Sequence, residues 1–191
     1  MWEFSNRGFK HGLTVRGIEQ AEVLARNLRG VTFSQVYTSP IKRAYQTAEI
    51  LSEALDIPME VTDALREFDC GVLEGKSDLE SWAIFDRVFE QWQQGQWDEC
   101  IPEGESYLQI QARFLPFIDE ITQNRKDKNI LLVGHGGTYR CMFPLIFANL
   151  KVESVRDLEI QHTMPIIGAF RGGQLICTQW GEQNMKYYQT I

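Results

Sequence analysis

The stretch Asn129–Arg140, NILLVGHGGTYR, decides the fold. NILLVG is a continuous apolar run, the pattern of a parallel strand covered on both faces. A helix begins at once over HGGTYRCMFPLIFANL, with Pro144 marking a kink or break in it. In open α/β sheets ligands sit beyond the carboxyl ends of the strands. His135 projects from such an end, and the glycines around it permit close backbone approach. A lone histidine is more often structural, but its place at the ligand-binding edge of a sheet favours a functional role.

The rest of the chain supplies the other layers. FSQVYT (33–38) is a short strand that runs into the helix SPIKRAYQTAEILSEAL, where Ser39 suits the N-cap and Pro40 the first helical position. Its expected buried stripe is Ala44, Thr47, Ala48, Leu51 and Leu55. PMEVT (58–62) is another strand. LTVRGIEQAEVLARNLRG (13–30) is a helix capped by Thr14 and stopped by Gly30, with Ile18, Ala21, Leu24, Ala25 and Leu28 at helical spacing. Residues 76–98 carry Trp82, Phe85, Phe89 and Trp92 at three- and four-residue steps, an amphipathic helix of aromatic character. In PEGESYLQ, Ser106 and Gln109 are spaced as a capping box. The helix that follows is expected to bury Leu108, Ala112, Leu115, Ile118 and Ile121. PIIGAF and QLICTQW are closing strands around the turn Arg171-Gly172-Gly173. Strands alternating with helices indicate one α/β domain over residues 1–191, a three-layer α/β/α sandwich with a mainly parallel sheet.

Composition narrows the classes of function. The 191 residues suffice for one domain with a sizeable core. Twenty-six acidic against nineteen basic residues give a net charge of −7, which argues against nucleic acid or an anionic membrane as partner. No apolar run is long enough to span a bilayer, and the N-terminus lacks a signal-peptide layout. Cys70, Cys100, Cys141 and Cys177 are widely spaced, which suits reduced structural thiols in a cytoplasm better than zinc or disulfides. No metal or other cofactor is expected.

The chemistry concentrates at two strand-to-helix junctions, TSPIKR and GHGGTYR. Helix N-termini present unpaired N–H groups and favour anions. Arg43 lies in the first turn of its helix, where a guanidinium can fork onto phosphate oxygens; the plainer alternative is a surface ion pair. Glu67, in ALREFDCGVLEG just after the PMEVT strand, can reach the same edge. An α/β-hydrolase elbow is excluded, because Gly136 stands where the serine nucleophile belongs and no GxSxG occurs elsewhere. Cys141 reads as core, and His162, ahead of PIIGAF, as structural.

Taken together, GLTVRGIEQAEVLA, VYTSPIKRAYQTAEIL, LREFDCGVLEG, PEGES and ILLVGHGGTYR resemble, in order, the motifs of the histidine phosphatase superfamily, also called phosphoglycerate mutase-like. The resemblance implies covalent catalysis through a phosphohistidine. It implies that Arg43 binds the phosphoryl oxygens and that His135 hydrogen-bonds the same group, with Gly136 and Asn6 also at the substrate. Glu67 would protonate the leaving alkoxide and then deprotonate water. The expected activity is hydrolysis of a small-molecule phosphate ester; the alternatives are mutase-type phosphoryl transfer and a non-catalytic phosphate-binding domain. A homodimer is compatible with this reading. Residues 76–102 would form a cap that selects the leaving group. Trp82, Phe85, Phe89, Trp92 and Trp97 would either grip a ring-bearing substrate or pack the cap, and packing is the expected fate of at least three.

One departure is large. The family's Arg-His-Gly triplet, at the end of its first strand, has no counterpart here. Arg7-Gly8 and His11-Gly12 are separate and fall in the loop before the LTxxG helix. His11 has no apolar strand ahead of it and is not expected to act as nucleophile. The resemblance places the absent strand centrally, beside the strand ending at His135. The expectation is that translation begins at an internal Met1, with Trp2 and Asn6 as remnants of the segment after the triplet.

Overall fold

In chain order the elements are α1 (Val15–Asn27), β1 (Phe33–Thr38), α2 (Lys42–Leu55), β2 (Met59–Val61), α3 (Leu79–Gln93), α4 (Tyr107–Gln123), β3 (Asn129–Val133), α5 (Gly136–Ile146), α6 (Val152–Arg156), β4 (Ile166–Arg171), β5 (Gln174–Trp180) and β6 (Gln183–Asn184). The structure, a computed structural model, describes residues 3–7, 10–123, 128–156 and 158–186. Trp2 and Gly8 lie outside the described residues.

β1 runs parallel between β2 and β3, with Val36 opposite both Met59 and Leu131. Alternation along the strands then sorts side chains to two faces. Val36, Leu131 and Val133 pack with Ala48, Leu55 and Ile57 on the α2 side. Tyr37, Ile130 and Leu132 face the larger core built with α4 and α5, where Phe117 meets the Tyr37 ring edge-on at 5.2 Å. The expected three layers are present. α1 packs outside α2, and this secondary position explains its thin buried stripe. Only Ala21 and Ala25 are buried, while Ile18, expected inside, is exposed.

The sheet itself departs from expectation. β4, β5 and β6 form a separate antiparallel sheet instead of extending the parallel one. Among the described residues β3 therefore ends the parallel sheet, and Ile130, Leu131, Leu132 and Val133 are each only partly buried. An apolar strand of this kind is covered on its faces but open along one edge. β4 is likewise the end strand of its sheet, and Ile130, Leu132 and Ile166 pack against one core cluster.

Several local signals act as read. Thr14 accepts the Gly17 N–H at 3.1 Å and caps α1. Ser106 and Gln109 exchange their capping-box bonds at 2.8 and 3.3 Å. Gly172 and Gly173 both take positive φ, 59° and 84°, in the tight turn between β4 and β5. α5 passes through Pro144 and stops two residues later. Two details differ. α4 buries Ile110, Phe114, Ile118 and Ile121, leaving Leu108 exposed and Ala112 on the outer side, because its inner face is set by Phe114 against Tyr139 and Phe143 of α5. α2 starts at Lys42 with Ile41 as its cap residue, so Ser39 does not cap it.

Candidate active site

The ends of β1 and β3 are tied together where the strands stop: the Ser39 N–H donates to the Val133 carbonyl at 3.0 Å. His135 follows in extended conformation, φ −134° and ψ 148°, as the residue that precedes α5. Its ring is buried, with Nε2 2.8 Å from Ser39 Oγ. Burial first, and then the Arg43 and Arg113 guanidinium groups, push its pKa down to about 3, so the imidazole is neutral across the physiological range.

Arg43 enters from the first turn of α2, and its Nη1 donates to the Ser5 carbonyl at 2.6 Å. Burial lowers its pKa, opposed by the charges of Glu67 and Glu74. Ser5 thus occupies part of the guanidinium that the sequence assigns to phosphate.

Glu67 is buried and reaches the N-terminus of α5. Its Oε1 accepts the Thr138 N–H at 2.7 Å, the Thr138 hydroxyl at 3.0 Å and the Phe68 N–H at 3.2 Å. Among the described residues its Oε2 accepts only the Gly137 N–H, at 3.0 Å. The anion expected at this helix terminus is therefore, in this structure, the protein's own carboxylate. A Cβ at Gly137 would stand 2.7 Å from Phe68 Cε1 and 2.8 and 2.9 Å from the two Glu67 oxygens, so a larger residue would displace those side chains. Gly136 has space, its nearest neighbour being Ile160 at 3.7 Å. Its N–H has no acceptor among the described residues.

Asn6 does not present its amide to the site. Nδ2 donates to the Phe68 carbonyl and Cys70 Sγ, both at 3.0 Å, and its N–H goes to Glu74 at 2.9 Å. It holds the loop that carries Glu67, because a short amide between a carbonyl and a thiol makes a better brace than a free donor. His11 pairs with Glu3 at 3.3 Å in an exposed position, and the Arg7 Nε–H is shared between the two Asp69 oxygens, each at 2.8 Å.

Sequence reasoning gave no role to a second brace. Glu105 accepts the Asp69 N–H at 2.9 Å and holds Arg113 Nε at 2.9 Å, while Arg113 Nη1 donates to the Ala64 carbonyl at 2.8 Å. The Glu67 loop is thereby clamped on both sides. Thr138 adds a bond from its hydroxyl to the Arg66 carbonyl at 2.8 Å. Its place three residues after His135, at a helix start, was the available signal.

The segment expected to form a cap carries a cluster of aromatic rings. Phe68 meets Phe85 at 5.8 Å and Trp92 at 5.4 Å, and Phe4 meets Trp82 at 4.4 Å. Trp82, Phe85, Phe89 and Trp92 pack the core. Trp97 is 51% exposed, is stacked on Tyr107, and lines an open cleft with Phe89 and Arg140. His162 is exposed. Cys141 is buried in α5 as core. No helix among the described residues is long and apolar enough to cross a membrane.

The chain is similar to known proteins. The profile of the histidine phosphatase superfamily (branch 1) matches residues 9–183. The putative phosphoserine phosphatase 2 of Hydrogenobacter thermophilus is 30% identical over 149 residues, covering 75% of this chain and 73% of that protein. The 6-phosphofructo-2-kinase/fructose-2,6-bisphosphatase 1 of Rattus norvegicus is 34% identical over 137 residues, 71% of this chain. The chain spans only 28% of that longer relative. Among solved structures, the alpha-ribazole phosphatase of Shigella flexneri has the same fold, with a TM-score of 0.76 and 22% identity over 98% of this chain and 92% of that one. With the family profile spanning nearly the whole domain, the chain belongs to the histidine phosphatase superfamily, branch 1.

Proposed function

We propose that this chain builds the phosphate-binding and acid–base part of a phosphomonoesterase, which acts on a small phosphorylated metabolite through a phosphohistidine whose nucleophile is not His11 or His135. The observation that carries this reading is the convergence of Arg43, Glu67 and His135 where β1 and β3 end and α5 begins. In it, Arg43 forks onto the non-bridging phosphoryl oxygens while the His135 ring and the Gly136 N–H donate to the same group. The nucleophilic imidazole forms a P–N bond as the ester P–O bond breaks. Glu67 takes up a proton from solvent on Oε2, the oxygen with a single N–H partner among the described residues, and delivers it to the leaving oxygen. Water then attacks phosphorus as the P–N bond breaks, and its proton returns to Glu67. General acid–base catalysis of this kind contributes about 10²–10⁴-fold.

The open edge of β3 supports a place for the nucleophile. A strand seated there would satisfy β3's outer backbone groups, cover its half-buried apolar residues and end beside His135. Relatives named as phosphatases support hydrolysis, and a relative named as a probable phosphoglycerate mutase supports mutase-type transfer as the alternative.

An NMR titration of the chain with inorganic phosphate tests the site. The expected result is saturable shifts at the Gly136 and Gly137 amides and the Arg43 side chain, together with Ser5 and Asn6 as phosphate displaces the Ser5 carbonyl. Shifts confined to other surfaces, or none at millimolar phosphate, would overturn the reading.

A further inference from the structure

Ser39 is fully buried at the end of β1, and its polar atoms are committed. Its N–H donates to Val133, and its carbonyl accepts the Thr38 hydroxyl at 3.2 Å. Its hydroxyl oxygen accepts the Ile41 N–H at 3.1 Å and lies 2.8 Å from His135 Nε2. A hydroxyl has one proton and two lone pairs. With Ile41 on one lone pair, two arrangements remain. If Nε2 carried the imidazole proton, the Ser39 oxygen would accept twice. Its own proton would then be buried without an acceptor among the described residues, which folded proteins avoid. If Ser39 instead donates to Nε2, every group is satisfied.

The ring is neutral, held so by burial and by the Arg43 and Arg113 charges, and therefore has a single proton to place. That proton falls on Nδ1. Nδ1 has no partner among the described residues, and it does not figure with Trp82 Nε1 and Tyr139 Oη, the buried side-chain atoms left unpaired. It is the open edge of the ring.

We propose that Ser39 is a positioning residue that fixes His135 in the Nδ1–H tautomer, so that the ring meets a phosphoryl oxygen as a donor. The same hydroxyl joins two junctions of the fold: it ends the β1–α2 turn through Ile41 and orients the residue at the end of β3, 96 positions away in sequence. The tautomer stands on the hydrogen bonds alone; its use toward phosphate rests on the function proposed above.

Long-range proton–nitrogen NMR of the His135 ring in the unmodified chain is the direct test. The expected spectrum has a protonated Nδ1 and an acceptor-type Nε2. Ser39→Ala should move population to the Nε2–H form and weaken inorganic phosphate binding about tenfold, one hydrogen bond's worth. Ser39→Thr, which retains the hydroxyl, should restore both. A wild-type ring in the Nε2–H form overturns the assignment, and that spectrum decides even where Ser39→Ala fails to fold. Unchanged tautomer in a folded Ser39→Ala variant overturns it equally. An Nδ1–H ring whose resonances ignore phosphate overturns only the phosphate role and leaves the tautomer lock standing.

Discussion

Arg43→Met separates a phosphate-binding arginine from a structural one. Methionine keeps an unbranched stem and a similar helix propensity, so the change removes little besides the guanidinium. The fold loses one charge-assisted bond, from Nη1 to the Ser5 carbonyl, worth about 1.5–3 kcal/mol, and the attraction of Glu67 and Glu74. It gains relief from burying a cation, a cost of the same order or larger; burial is indeed the leading influence on this group and acts against its charge. The two nearly cancel, leaving a net change within about 1 kcal/mol. At roughly 2–4 °C per kcal/mol for a chain of this size, Tm should move by no more than about 4 °C. Phosphate loses two charge-assisted bonds, at least about 3 kcal/mol, or roughly 10²-fold in Kd. Calorimetric titration with inorganic phosphate and a thermal melt on the same sample read both quantities. Phosphate affinity within about threefold of wild type, with a Tm loss above roughly 10 °C, would show that Arg43 serves the fold and refute the reasoning.

Two further outcomes follow from the same geometry. His135 has a folded pKa of about 3 against about 6.5 unfolded, so between those values the unfolded chain binds the extra proton. The neutral ring's contribution is present above pH 6.5 and lost as pH falls, about 2 kcal/mol by pH 5; urea unfolding at pH 7 and 5 should show His135→Gln losing less stability than wild type, and an equal or larger loss would count against a buried neutral ring. Ile167, 43% exposed on the end strand β4, marks an edge open to association, so Ile167→Lys should reduce light scattering on heating while changing stability by less than about 0.5 kcal/mol; unchanged scattering would place the aggregation-prone edge elsewhere.

What was legible in the sequence was local. Thr14, the Ser106–Gln109 box, the Gly172-Gly173 turn and the apolar run of β3 each act through neighbours a few residues away, and their types carry the signal. Motif spacing singled out Arg43, Glu67 and His135 as candidates, and the fold brings them near one another, but their relations were not legible. Glu67 meets Gly137 and Thr138 across 70 and 71 positions, and no local pattern says that a loop carboxylate will fill a helix terminus. Ser39 read as a cap, because serine before proline suits one, yet its hydroxyl serves a turn and a distant imidazole. Asn6 read as a substrate ligand, although its amide is spent on Phe68 and Cys70. β3 shows the same limit: hydropathy says that a strand wants cover, and only topology says whether an edge receives it.

The most direct test of the central claim supplies the nucleophile. The chain of residues 1–191 should turn over no aryl phosphate, while still binding inorganic phosphate. The same chain extended ahead of Met1 by an apolar strand of about 5–6 residues ending in Arg-His-Gly should hydrolyse it, melt higher, and form an acid-labile phosphoenzyme. Turnover by residues 1–191 alone, or an extended chain that melts higher yet stays inert, would contradict the account.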